Sequence, residues 1–156
     1  DGRIFITRGF YKKYKDGEVS AEEIASVIAH ELGHIALGHS KRRMIDFSSQ
    51  NAIRAALGML LGRLMPGIGN WLAAMVANLL MAKLSRSDEY EADEYAAALL
   101  IKSGIGIEPQ ISLFQKLEKL TDQTGRLPVW LLSHPKSSDR ISAIENHKTS
   151  WEKSDG

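Results

Sequence analysis

"VIAHELGHIALGH", residues Val27 to His39, sets Glu31 between His30 and His34 inside an otherwise apolar run. Unpaired charge in an apolar environment is expensive, so this stretch demands a compensating partner. Within it, His30-Glu31-Leu32-Gly33-His34 is the H-E-x-x-H pattern. Residues four apart on a helix share a face, with Cβ atoms about 5–6 Å apart. Two imidazoles so placed can converge on one ion at about 2.0–2.1 Å, the zinc–nitrogen distance. Glu31, next to His30 and three residues before His34, can reach water at that ion without ligating it. A dication and a water would be the partners that the glutamate needs.

The helix carrying the pattern has a start signal. Ser20 and Glu23 form an S-x-x-E capping box, which predicts a helix from Ala21 to at least His39. Ile24, Val27, Ile28, Glu31 and Ile35 recur at helical spacing and are expected to form its buried stripe. His39 lies five residues past His34, over 100° round the helix, and is not read as a ligand. The extended pattern H-E-x-x-H-x-x-G-x-x-H needs glycine at 37 and histidine at 40, where this chain has Leu37 and Ser40. A third ligand must come from elsewhere.

"SRSDEYEADEYAAALL", residues 85–100, is the candidate source. Its carboxylates are Asp88, Glu89, Glu91, Asp93 and Glu94. A helix dipole explains acids in a first turn, but explains less well Asp93, which is followed by an alanine-rich face. Glu89 and Asp93 are four apart and share a face with Ala92, Ala96 and Leu100. That spacing suits one ligating carboxylate and one that accepts a hydrogen bond from the far ring nitrogen of a ligating histidine, with His30 the favoured partner of Asp93.

The chain around these segments is of ordinary globular composition: 156 residues, 44% hydrophobic, 25% charged. A net charge of +1 gives no case for nucleic acid. The absence of cysteine excludes disulfides and thiolate metal sites. The chain opens at Asp1, which reads as a processed product or an excised segment. Lys12, Lys13 and Lys15, and Lys41, Arg42 and Arg43, read as solvated basic clusters.

"GRIFITRGF" is rich in β-formers and predicts a strand at residues 3–8. Ala55 to Ala82 carries one charge, Arg63, and is split by "MPGIGN" at residues 65–70. It predicts two apolar helices joined by a turn, each arm shorter than the about 20 residues of a membrane span. Further helices are expected at about Ser87 to Lys102, from Pro109 with Ile111, Phe114, Leu117 and Leu120, and from about Ser137 after a loop. The expected fold is α+β and mostly helical, with a small sheet and five or six helices. It forms one domain over residues 1–148, followed by a polar tail at 149–156.

Three pieces occur in order: "HELGH", "SRSDEYEAD" and "SHPKSSDR". Together they resemble the gluzincin zinc metalloproteases that include the CAAX prenyl proteases, the HtpX-type heat-shock membrane proteases, and the Oma-type and LoiP-type envelope proteases. "GRIFITRGF" is similar to the segment this family sets before its metal helix. The resemblance implies a zincin-like core and a Zn2+ ion held by His30, His34 and Glu89. Glu31 would be the catalytic base. His134 and Arg140 would border the site and share the developing oxyanion. The substrate would be a polypeptide, paired with the strand at the edge of the site, and the location a bacterial envelope.

Two expectations go beyond the resemblance. His134 has a spare imidazole and could act as a fourth zinc ligand that keeps the enzyme latent. The apolar hairpin is expected to flank the cleft and restrict access to unfolded or membrane-proximal chains. The competing reading is an inactive or latent zinc domain that acts as a binding or membrane-surface module. Residues 55–82 would then contact a membrane surface or a second copy.

Overall fold

A computed structural model of the chain describes residues 3–126, 128–134 and 139–152. It divides into two compact units: residues 1–37 with 89–156, and residues 38–88. Seven helices occur among the described residues: α1 (Arg8–Lys15), α2 (Ala21–Ala36), α3 (His39–Leu64), α4 (Gly69–Lys102), α5 (Glu108–Thr124), α6 (Val129–Ser133) and α7 (Asp139–Glu152). The count exceeds the expected five or six, because α1 and α6 lack a long apolar periodicity and escape notice in the sequence.

The expected strand is absent. Residues 3–7 have no regular structure, and Arg8 already begins α1, capped by the Thr7 hydroxyl on the Phe10 amide at 3.2 Å. β-Formers become a strand only when a second strand takes up their backbone groups. No strand exists among the described residues, so no small sheet forms and these residues stay mostly exposed.

In the first unit, α2 starts as its sequence dictates. The Glu23 amide donates to Ser20 Oγ at 3.1 Å, and the Ser20 amide to Glu23 Oε2 at 2.8 Å. Glu23 is buried, and it also accepts from Ser112 Oγ at 2.7 Å and Lys116 Nζ at 2.8 Å, which ties α2 to α5. The helix ends earlier than expected. Gly38 adopts φ +68°, a left-handed conformation that stops α2 at Ala36 and lets α3 begin at His39.

The buried face of α2 also differs from the expected stripe. Ser26, Ala29, His30, Gly33 and His34 are buried, whereas Ile24, Val27 and Ile28 are half-buried and Ile35 is exposed. Close approach to α4 decides this. A Cβ at Gly33 would stand 3.0 Å from the Ala92 carbonyl oxygen and 3.2 Å from Tyr95 Cβ. Small residues are therefore needed on the inner face, and the large aliphatics move to its flanks. Ala29 packs with Ala96 and Leu100, and a second cluster joins Ala97 of α4, Ile107 just before α5, Phe114 of α5 and Ile144 of α7.

The second unit is a helical hairpin. Its turn, residues 65–68, falls at the predicted break. A Cβ on Gly69 would lie 2.4 Å from the Leu61 carbonyl carbon, so only glycine lets the two arms meet there. The expected separate helix from Ser87 is instead the continuation of α4. No described helix is long and apolar enough to cross a membrane. Pro109 falls in the first turn of α5, as predicted. The last helix begins at Asp139, the predicted start near Ser137 lies outside the described residues, and residues 149–152 of the expected tail continue α7.

Candidate metal centre

His30 and His34 leave α2 on its buried face, with Nε2 atoms 3.1 Å apart. Glu89 reaches them from α4, Oε2 to His30 Nε2 at 3.4 Å and Oε1 to His34 Nε2 at 3.5 Å. His134, the residue after α6, brings Nδ1 to 3.0 Å from Glu89 Oε2 and 3.3 Å from His30 Nε2. One ligand atom from each of these four residues lies within 4.8 Å of the others.

The donor set fits a tetrahedral ion. Ligands at about 2.0–2.1 Å in a tetrahedron stand about 3.3–3.4 Å from one another. Five of the six pairs here, taken with one or other Glu89 oxygen, are 3.0–3.5 Å apart, and all four groups lie within 4.8 Å of one another. His30 Nε2 faces two other ring nitrogens and a carboxylate oxygen. A single proton on it cannot satisfy all three, whereas a central cation can.

Asp93 sits one turn beyond Glu89. Its Oδ1 lies 2.8 Å from His30 Nδ1, which makes Nδ1 the protonated nitrogen and turns the Nε2 lone pair toward the centre. Arg140 donates to both Asp93 oxygens, from Nε at 2.5 Å and Nη2 at 2.8 Å, and its Nη1 stands 3.4 Å from Glu89 Oε2. The guanidinium also lies over the Phe114 ring at 4.7 Å.

Glu31 projects beside this cluster. It is half-buried rather than part of the core, which corrects the expected buried stripe. Its Oε1 is 3.2 Å from His134 Nε2 and accepts a hydrogen bond from Trp130 Nε1 at 3.2 Å. Trp130 stacks on His134, with ring centroids 4.9 Å apart and planes 21° apart.

The electrostatics follow from these contacts. Burial opposes ionisation of Glu31, but His134 and the Trp130 donor outweigh it and hold the carboxyl at about 2. Glu89 is held further below the usual carboxylate range, as His134 and His30 overcome its burial. Asp93 is lowered against its burial, chiefly by Arg140 and then His30. Burial disfavours the His134 cation, yet Glu31 and Glu89 raise it to about 9. The ionised carboxylates thus draw positive charge to one point, the requirement a divalent cation meets.

All seven residues singled out in the sequence meet here: His30, Glu31, His34, Glu89, Asp93, His134 and Arg140. His134 points a ring nitrogen into the donor set, the position of the fourth-ligand expectation and not only of the bordering one. One of the seven stands differently from expectation. Arg140 is 1% exposed and committed to Asp93, so it lies behind the donors and not at an open face. Two further residues were missed. Trp130 is four before His134, a helical spacing that could have signalled contact. Gln110, whose side-chain amide reaches the Asp93 carbonyl oxygen at 3.4 Å, carried no sequence signal.

The model of peptidase family M48 matches residues 1–148. The chain belongs to peptidase family M48. Among its relatives in this family, metalloprotease LoiP of Escherichia coli K12 is 34% identical over 150 residues, covering 94% of this chain and 55% of LoiP. Metalloprotease YcaL of the same organism is 35% identical over 124 residues, 80% of this chain and 48% of YcaL. The beta-barrel assembly-enhancing protease of that strain is 33% identical over 156 residues, 93% of this chain and 30% of that protein. The chain therefore spans about half the length of the first two relatives. No solved structure matches it.

Proposed function

We propose that this M48 chain is a zinc-dependent endopeptidase domain. His30, His34 and Glu89 would hold the ion, with Glu31 as general base. The observation that carries this reading is the convergence of the His30, His34, Glu89 and His134 donor atoms on one point, with an ionised carboxylate beside them. Zinc held there would polarise a peptide carbonyl and lower the pKa of a coordinated water toward about 7.

Glu31 accepts the proton of the attacking water and returns it to the leaving amine nitrogen. Both contacts given above fall on its Oε1, which fixes the carboxylate plane and leaves Oε2 to carry that proton. Asp93 holds the His30 tautomer, and Arg140 holds Asp93, so Arg140 is a positioning residue. His134 has two roles in sequence. With Nδ1 in the donor set it occupies the position a substrate needs, a latent arrangement, since catalytic zinc sites keep one place open. Withdrawn from that place, its imidazole can donate to the developing oxyanion.

The relatives' names, metalloprotease and beta-barrel assembly-enhancing protease, favour a polypeptide substrate, and a role in envelope protein quality control is part of the proposal. Residues 55–82 are the part of the chain suited to a membrane surface or to self-association.

Casein cleavage by the zinc-loaded chain tests the proposal. Glu31→Gln should retain zinc and lose cleavage, and a chelator should abolish it in the parent. An inactive zinc domain, the second reading, would bind zinc and cleave nothing even after His134→Ala opens the fourth position.

A further inference from the structure

The hairpin unit, residues 38–88, differs in charge from the rest of the chain. Lys41, Arg42, Arg43 and Arg54 lie on α3, Arg63 near the turn, and Lys83 and Arg86 on α4, against only Asp46 and Asp88. The whole chain is +1, so this unit concentrates the positive charge and the remainder is acidic. Arg42 and Arg43 are engaged with Asp88 at 3.2 and 3.0 Å.

The end of the hairpin is apolar and open to solvent. Met59 and Leu64 are 70% exposed, Trp71 is 65% exposed, and Leu60, Met65 and Ile68 are also exposed. They surround the turn, whereas small residues such as Ala73 and Ala77 are buried. Large apolar side chains left exposed about a single turn mark a contact site.

The charges are arranged about that patch. Arg54 lies ten residues before the end of α3, and Lys83 fourteen after the start of α4. At 1.5 Å per residue these cations stand about 15–20 Å behind the turn. An apolar tip with a basic collar at that depth matches one leaflet, about half of a 30 Å hydrocarbon core, with headgroups at the collar. Arg63, the one charge near the tip, has a side chain long enough to reach toward the headgroups. No described helix is long and apolar enough to span, so the tip would enter from one side only.

We propose that residues 54–83 dock the chain on an anionic lipid surface, with the Met59–Trp71 tip entering one leaflet and Arg54 and Lys83 on the headgroups. This docking does not depend on zinc or on proteolysis.

Co-sedimentation of the full chain with vesicles tests it. Vesicles of phosphatidylcholine mixed with phosphatidylglycerol should bind the chain about tenfold more strongly than phosphatidylcholine alone, and added salt should reduce the difference. Leu64→Ser with Trp71→Ser should abolish binding to both, while circular dichroism and zinc content stay unchanged. Arg54→Glu with Lys83→Glu should abolish only the preference for anionic vesicles. Trp71 emission should shift to the blue on binding, a change absent from Trp71→Phe. Failure of the folded, zinc-loaded chain to bind either vesicle would overturn the proposal. So would a concentration-dependent dimer lost in the Leu64→Ser, Trp71→Ser variant, since that assigns the tip to a second copy.

Discussion

Removing the Asp93 carboxylate separates its two jobs, pairing Arg140 and orienting His30. Asp93→Ala strands a guanidinium that is 1% exposed. Breaking a buried ion pair in this way costs about 3–5 kcal/mol. The lower end applies here, because Arg140 keeps Glu89 at 3.4 Å and the Phe114 ring at 4.7 Å. About 3 kcal/mol corresponds to a fall in Tm of about 6–12 °C for a domain of this size. Arg140→Met alone should also destabilise, since Asp93 is then left with His30 and Gln110. The combination of Asp93→Ala and Arg140→Met removes both charges, so its cost should fall about 2–3 kcal/mol short of the sum of the singles. Zinc affinity should not recover with stability. The double variant still lacks the acceptor for His30 Nδ1 and should bind zinc about 10–100-fold more weakly. Urea unfolding of the metal-free chains and competitive zinc titration provide the two readouts. Strict additivity of the two singles, or parent-like zinc affinity in the double, would refute the reasoning.

Trp130→Phe keeps the ring stacked on His134 but deletes the N–H to Glu31. The expected result is a fall in kcat of about tenfold, of the order of one hydrogen bond to a charged group, with KM and zinc content unchanged; a change in KM alone would assign Trp130 to substrate contact. Glu23→Gln tests the link between α2 and α5. The folded Glu23 carboxyl lies below its ordinary 4.5, because Lys116, the Ser20 amide and Ser112 outweigh its burial. Its contribution is therefore complete above the unfolded pKa and is lost as pH falls through the folded one. The variant should be about 1–2 kcal/mol less stable than the parent near neutral pH, and the gap should close in acid; a gap independent of pH would show that Glu23 does not act through its charge.

The start of α2, the first turn of α5 and the spacing of the site residues on α2 and α4 were legible because each is specified locally, whereas α1 and α6 carry no such signal. The capping box at Ser20 and Glu23, the spacing of four between His30 and His34, and the same spacing between Glu89 and Asp93 fix which side chains share a face. What was misread depends on partners that no local pattern reveals. Residues 3–8 have strand-forming side chains, but a strand exists only when another strand pairs with it. The inner face of α2 was assigned to its large aliphatics, yet the close approach of Ala92 to Gly33 reserves that face for small residues. Gly38 could have ended the helix on paper, since a lone glycine after an apolar run is a common stop. Arg140 was placed at the border of the site by the resemblance alone, and only the tertiary fold sets it against Asp93. Trp130 likewise gains meaning from its stacking on His134, not from its neighbours in the chain.

Metal content most directly tests the claim that α2, α4 and the residue after α6 converge on a single cation. Mass-spectrometric metal analysis of the purified chain, combined with X-ray absorption at the zinc edge, should give one zinc per chain with nitrogen and oxygen ligands at about 2.0–2.1 Å. His30→Ala, His34→Ala and Glu89→Ala should each lose the metal, whereas Glu31→Gln should keep it. A chain that binds no zinc, or one whose zinc survives the loss of Glu89, would contradict the account.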